Sequence, residues 1–99
     1  MSHGFGGGWN YRVLVKKYKR GELGFDIHEV YYTRDGSFNA WSTEPIAPHG
    51  DSLSCLESDL EMMREALGRP LLKEVTGKNG VQRLVRWTKK NKKREKKRA

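Results

Sequence analysis

The sequence predicts an α+β domain: a three-stranded antiparallel β-meander packed on one α-helix, in the order β-β-β-α, followed by a basic C-terminal tail. Three observations carry that prediction. Polar and apolar residues alternate from Trp9 onward, an Asp-Gly pair separates two strand-like runs, and leucines recur at helical spacing beyond Ser52.

The first strand is "WNYRVLVKKY", in which Tyr11, Val13 and Val15 oppose Arg12, Leu14 and Lys16 across a pleat of period two. "KRGEL" turns the chain. "GFDIHEVYYT", rich in β-branched and aromatic residues, is the second strand, with Phe25, Ile27, Glu29 and Tyr31 on one face and His28, Val30 and Tyr32 on the other. Both faces mix polar and apolar groups, which predicts a β-bulge near His28 or Glu29. "TRDGS" supplies the Asp-Gly turn that hairpins favour, and "SFNAWST" is a short third strand.

The two prolines of "EPIAPHG" lack the N–H a ladder needs, so this stretch is a connector. Beyond it, Leu53, Leu56, Leu60, Met63 and Leu67 form one apolar helical stripe. Asp51 or Ser52 caps its start, Ser54 and Glu57 have capping-box spacing, and Gly68 with Pro70 ends it. "PLLKEV" then returns along the sheet edge. One helix covers one face of such a sheet and leaves the other to water or a partner. Aromatic residues fall on both faces, Tyr31 with Phe38 or Tyr32 with Trp41, so His28, Tyr32 and Trp41 are candidate partner-binding residues. A homodimer through that open face or the sheet edge is one expected use.

The chain has 99 residues, and the expected organisation is a disordered glycine-rich leader over 1–8, the domain over 9–76 and the tail over 77–99. Charge divides along the same line. Residues 1–70 hold 8 Lys+Arg against 10 Asp+Glu, net −2, while residues 71–99 hold 12 against 2, net +10. A near-neutral body thus carries a cationic segment.

In "NGVQRLVRWTKKNKKREKKR", Val81, Leu84, Val85 and Thr88 share one helical face, so the tail is expected to be partly helical or disordered. Clustered cations release counterions from a phosphate backbone, and a tryptophan among them can stack on an unpaired base. The candidate nucleic-acid-binding residues are therefore Arg83, Arg86, Trp87, Lys89, Lys90, Lys92, Lys93, Arg94, Lys96, Lys97 and Arg98. A basic amphipathic segment also suits an acidic protein or an anionic membrane surface.

Little points to catalysis. His28, Glu29, Glu44, His49, Asp51 and Cys55 are the ionisable candidates, but neighbours in a strand point to opposite faces, and the others are ordinary loop or cap residues. A single cysteine excludes an internal disulfide and a cysteine-built zinc site. His3, His28 and His49 show no ligand spacing, and "GFGGGW" precedes a strand and opens no helix, so no metal and no cofactor is expected. No apolar run reaches membrane-spanning length and the start lacks a secretory pattern, which predicts a cytoplasmic protein.

The motifs "WNYRV", "IHEVYY", "WSTEPIAP", "GDSL" and "LESDLEMMREAL", spread over about residues 9–72, resemble a family of small bacterial and phage proteins of unassigned function. The architecture is more loosely similar to HicB-like antitoxins, in which three strands lead through a Gly-Asp-Ser/Thr turn, here Gly50-Asp51-Ser52, into an acidic amphipathic helix. That likeness implies an inhibitor of a basic RNA-cleaving partner. The chain differs from those antitoxins in its "EPIAPHG" connector and in showing no helix-turn-helix after the helix.

Two functions are expected. The first is a non-enzymatic accessory protein that contacts nucleic acid, RNA before DNA and without sequence specificity, through its basic arm. The alternative is a protein-interaction module or antitoxin-like inhibitor that docks through the open sheet face.

Overall fold

A computed structural model describes residues 7–87. The elements run β1 (Trp9–Lys17), β2 (Leu23–Tyr32), β3 (Phe38–Trp41), α1 (Leu53–Ala66), β4 (Leu72–Thr76) and β5 (Gln82–Arg86). They form a five-stranded mixed sheet in the order β3-β2-β1-β4-β5 with one helix, nearly barrel-shaped. The expected fold, a three-stranded meander packed on one helix, is therefore incorrect. The meander is one part of a larger sheet, and β4 and β5 complete it.

Parallel neighbours need a crossover, and α1 supplies it: β4 lies parallel to β1, with Leu14 opposite Leu72 and Val15 opposite Lys73. A turn closed by Gly77 N–H on the carbonyl of Val81 at 2.7 Å then sends β5 back antiparallel to β4. Residues 77–87, set with the tail on sequence grounds, are thus folded into the domain. The leader's first six residues lie outside the described residues, whereas Gly8 already accepts a bond from Tyr32 N–H.

The β1–β2 ladder is regular from Trp9↔Tyr31 to Lys17↔Leu23, so the bulge expected at His28 or Glu29 is absent from it. The irregularity sits one strand over, between Tyr31 and Tyr32 against β3. Its effect is to bring Tyr32 beside Phe38, ring centroids 5.8 Å apart, on the same side as Trp41. Tyr31 instead lies on the opposite face near Trp9. The hairpin between β2 and β3 uses Gly36 at φ 89°, a left-handed conformation that glycine adopts without steric cost.

Two apolar clusters hold the sheet. Tyr11, Val13, Met63 and Ala66 form the layer between β1 and α1, with Ile27, Ile46 and Leu71 around it. On the other face Leu14, Val30, Leu72 and Leu84 pack together, and Tyr32, Phe38 and Trp41 close over them. Strand twist coils the sheet far enough for Trp41 on β3 to donate its indole N–H to Glu74 on β4 at 3.3 Å, across two intervening strands. The face expected to stand open is therefore partly closed: His28 is buried in it, while Tyr32 and Trp41 lie half-buried over the cluster.

Ser52 caps α1, its hydroxyl accepting from Cys55 N–H at 3.1 Å. Gly50 ends the connector against the first helical turn so closely that a Cβ would fall 2.2 Å from the backbone nitrogen of Leu56. Gly50→Ala is expected to cost about 1–3 kcal/mol, the usual range for overpacking, as a lowered thermal midpoint. Only part of the leucine stripe is used. Met63 and Ala66 are buried and Leu56 is half-buried, but Leu53, Leu60 and Leu67 remain 81%, 47% and 69% exposed. No helix among the described residues is long and apolar enough to cross a membrane.

Candidate nucleic-acid interface

Of the sequence-predicted nucleic-acid residues, the structure describes Arg83, Arg86 and Trp87; Lys89, Lys90, Lys92, Lys93, Arg94, Lys96, Lys97 and Arg98 lie outside the described residues. Arg83 and Arg86 are exposed on the edge strand β5. Because β5 is a strand and not a helix, three residues of separation place the two guanidiniums on opposite faces. Trp87 is only 8% exposed. Its amide donates to Leu71 carbonyl at 2.9 Å, and its ring meets Phe25 edge-on at 6.1 Å. Both the ring and the backbone of Trp87 are thus engaged in the fold, a different setting from the free stacking residue expected from sequence.

A second basic surface was not anticipated from the sequence. The β1–β2 turn carries exposed Lys16, Lys17, Lys19 and Arg20, and the parallel register of β1 and β4 brings the β4–β5 turn, with Lys78, to the same end of the sheet. Glu22 is the acidic residue of that first turn. The run "KKYKR" was visible, but its neighbourhood with Lys78 follows only from the crossover. Trp87 sits at the level of Leu71, about five residues or roughly 17 Å along the strands from this tip.

The proposed partner-binding residues share the sheet face opposite the helix, as the alternation required, with His28 buried and Tyr32 and Trp41 half-buried. His28 is 3% exposed, with Nδ1 at 2.9 Å from Ser42 carbonyl and 3.3 Å from its hydroxyl. Tyr32 donates to Asn10 Oδ1 at 2.7 Å and accepts from Arg12 Nη1 at 2.7 Å. Trp41 is held by Glu74 and packs on the cluster. His28 is thus enclosed, whereas Tyr32 and Trp41 keep part of their surface in solvent, Trp41 beside a shallow pocket with Asn39, Thr43 and Gln82.

Arg12 is the most unusual cation, buried to 7% exposure among these groups. Besides Tyr32 it bonds Pro70 carbonyl through Nη2 at 3.0 Å and stands 5.9 Å from the Phe38 ring centroid, while its Nε finds no partner. Carbonyl, phenol and ring replace the carboxylate that a buried guanidinium ordinarily takes. Its position at the foot of β4 makes it a brace between the meander and the returning strand.

The ionisable candidates for catalysis are scattered. Glu29 accepts from Tyr31 Oη at 2.6 Å, His49 Nε2 lies 3.5 Å from Asp51 Oδ1 with both side chains in solvent, and Cys55 is an exposed thiol on the helix. Among the described residues no group of three or more His, Cys, Asp or Glu is arranged to hold a metal ion.

Asp59, which the sequence did not single out, joins three elements. It accepts Tyr11 Oη at 2.6 Å and His49 N–H at 2.9 Å, tying α1 to β1 and to the connector. The Tyr11 bond, then the His49 amide, holds the Asp59 carboxyl below its ordinary range; burial, then Asp59, pushes the Tyr11 phenol well above its own. The Asp59 contribution is therefore present above the ordinary carboxylate pKa of about 3.9 and lost as pH falls through the lowered value. That of Tyr11 is present below about pH 10 and lost as pH rises through the raised one. Tyr11→Phe should cost about 1–2 kcal/mol at neutral pH, discounted for partial solvent access, and should flatten the acid limb of urea-denaturation midpoints against pH.

No family model, curated protein or solved structure matches this chain.

Proposed function

We propose that this is a non-enzymatic accessory protein that contacts nucleic acid, with single-stranded RNA as its ligand, through the basic segment that follows Trp87. The observation that carries the reading is the charge partition. Residues 71–99 bear net +10 on a remainder of net −2, and eight of the last 11 residues are Lys or Arg. Such a run gains affinity by displacing counterions from phosphates and is indifferent to base identity.

The fold supports the reading in two ways. Burial of Trp87 and pairing of β5 give the basic run a fixed point of departure. The tip formed by Lys16, Lys17, Lys19, Arg20 and Lys78 offers a second cationic surface on the same body. Trp87 is itself occupied in the core, and Phe25 beside it is the exposed ring at the root of the arm, so the affinity of the basic run rests on contact with the phosphate backbone. The test is binding of mixed-sequence single-stranded RNA by the full chain and by residues 1–87 at low salt; equal affinities, or none, would refute the assignment.

A further inference from the structure

The exposed face of α1 has a pattern that folding of one chain does not use. At 100° per residue, Leu53, Glu57, Leu60, Arg64 and Leu67 fall within an arc of about 80° that flanks the buried Met63 and lies farther round the helix from Ala66. Of the three large apolar side chains on that arc, Leu53 and Leu67 remain mostly in water and Leu60 about half. Glu57, Leu60, Arg64 and Leu67 also line a groove whose far wall is Ile27 and Pro48.

The order of residues along the arc is self-complementary. Around Leu60, Leu53 and Leu67 lie seven residues to either side, while Glu57 and Arg64 lie three before and four after. An antiparallel copy of the same helix, related by a two-fold axis near Leu60, sets Leu53 against Leu67, Leu60 against Leu60, and Glu57 against Arg64. Each of the first and last of these contacts occurs twice, as an isologous interface requires. Spacings of four and three residues are those of a helix–helix seam, and opposite charges within it fix orientation. A parallel copy would place Glu57 against Glu57 and Arg64 against Arg64, so charge selects the antiparallel arrangement.

We infer that α1 is a homodimer interface, with the face Leu53-Glu57-Leu60-Arg64-Leu67 packed antiparallel on the same face of a second copy. The inference is independent of nucleic-acid binding, since it uses neither the tip nor the tail. It differs from the sheet-face dimer expected from sequence, because the side chains are those of the helix. Glu61, which sits toward the edge of the arc, stays in water beside the seam.

Sedimentation equilibrium of the full chain at about 10–200 μM should give a mass near twice that of the 11.4 kDa protomer. Leu60→Lys, at a position already half exposed, should shift the species to monomer with an unchanged far-ultraviolet circular dichroism spectrum. Glu57→Arg and Arg64→Glu should each weaken dimerisation at least tenfold, and the double variant E57R/R64E should restore it, because every broken pair is then remade in reverse. A monomeric wild-type chain overturns the inference, as does a dimer indifferent to these changes or a double variant no better than the singles. A monomer whose helix face is protected from hydrogen exchange only when residues 88–99 are present would assign the face to the chain's own basic segment and overturn it equally.

Discussion

Trp87→Ala is expected to destabilise the domain by about 3–5 kcal/mol, the range for emptying a large aromatic site in a core. Described residues 7–87 form a domain whose total stability, at roughly 0.05–0.15 kcal/mol per residue, is about 4–12 kcal/mol. The loss thus removes a large share of it. The reason is geometric: beyond the end of β5 the buried indole meets Phe25 of β2 edge-on, and the residue is fixed by its own amide on Leu71. Urea denaturation followed by far-ultraviolet circular dichroism measures the effect. A variant with wild-type stability and weakened RNA binding would return Trp87 to the role of a stacking residue and refute its place in the core.

The same residue decides where the chain can be cut. Truncation after Lys78 deletes β5, exposes the edge of β4 and strips Leu84 and Trp87 from the two sides of the sheet. Such a fragment loses fold and basic segment together, so loss of binding in it has no single cause. Truncation after Trp87 leaves every described element in place and removes only the residues beyond it.

How much of this was legible follows from which signals are local. The alternation in "WNYRVLVKKY", the turn at Asp35-Gly36 and the Ser52 cap are properties of short stretches, and the structure has each where the sequence places it. β5 escaped because Val81, Leu84, Val85 and Thr88 fit a helical face while five residues of strand are too few to assert period two, and because Gly77 and Gly80 read equally as linker or turn. "PLLKEV" was recognised as an edge segment, but its parallel pairing with β1 is a tertiary choice that no local pattern encodes.

The surroundings of the candidate partner face were only partly legible, for a related reason. His28, Val30 and Tyr32 do share a face, as the alternation required, but whether that face is open depends on how far the sheet coils. Counting one helix against two faces assumes a flat sheet. In the coiled one, Trp41 reaches Glu74 and the aromatics pack half-buried against the core. The helix errs the other way: five stripe residues were expected to pack, yet α1 rests on β1 alone among the strands it substantially touches, and Leu53, Leu60 and Leu67 are left outside. Asp59 and Arg12 gave no signal because each acts through partners distant in sequence, Tyr11 and His49 for one, Tyr32 and Pro70 for the other.

Removal of residues 88–99 is the second large effect expected, and it bears on function instead of stability. Eight Lys and Arg in the last 11 residues, at about 0.7 counterions released per single-strand phosphate contact, give a log–log salt slope of about −5 to −6 when all engage. Between 50 and 200 mM salt that slope corresponds to about a 10³-fold loss of affinity. Residues 1–87 hold 12 Lys+Arg against 11 Asp+Glu, net +1, so their slope should be shallow and their affinity at low salt weaker by orders of magnitude. Duplex DNA of equal length, run beside the RNA, shows whether the preference for single strands holds.

The most direct test is therefore a salt titration of single-stranded RNA binding by the full chain and by residues 1–87, both shown folded by circular dichroism. Steep salt dependence in the full chain and its collapse in the shorter one is the predicted result; no affinity at about 50 mM salt, or equal binding by the two chains, would contradict the assignment of nucleic-acid contact to the basic segment.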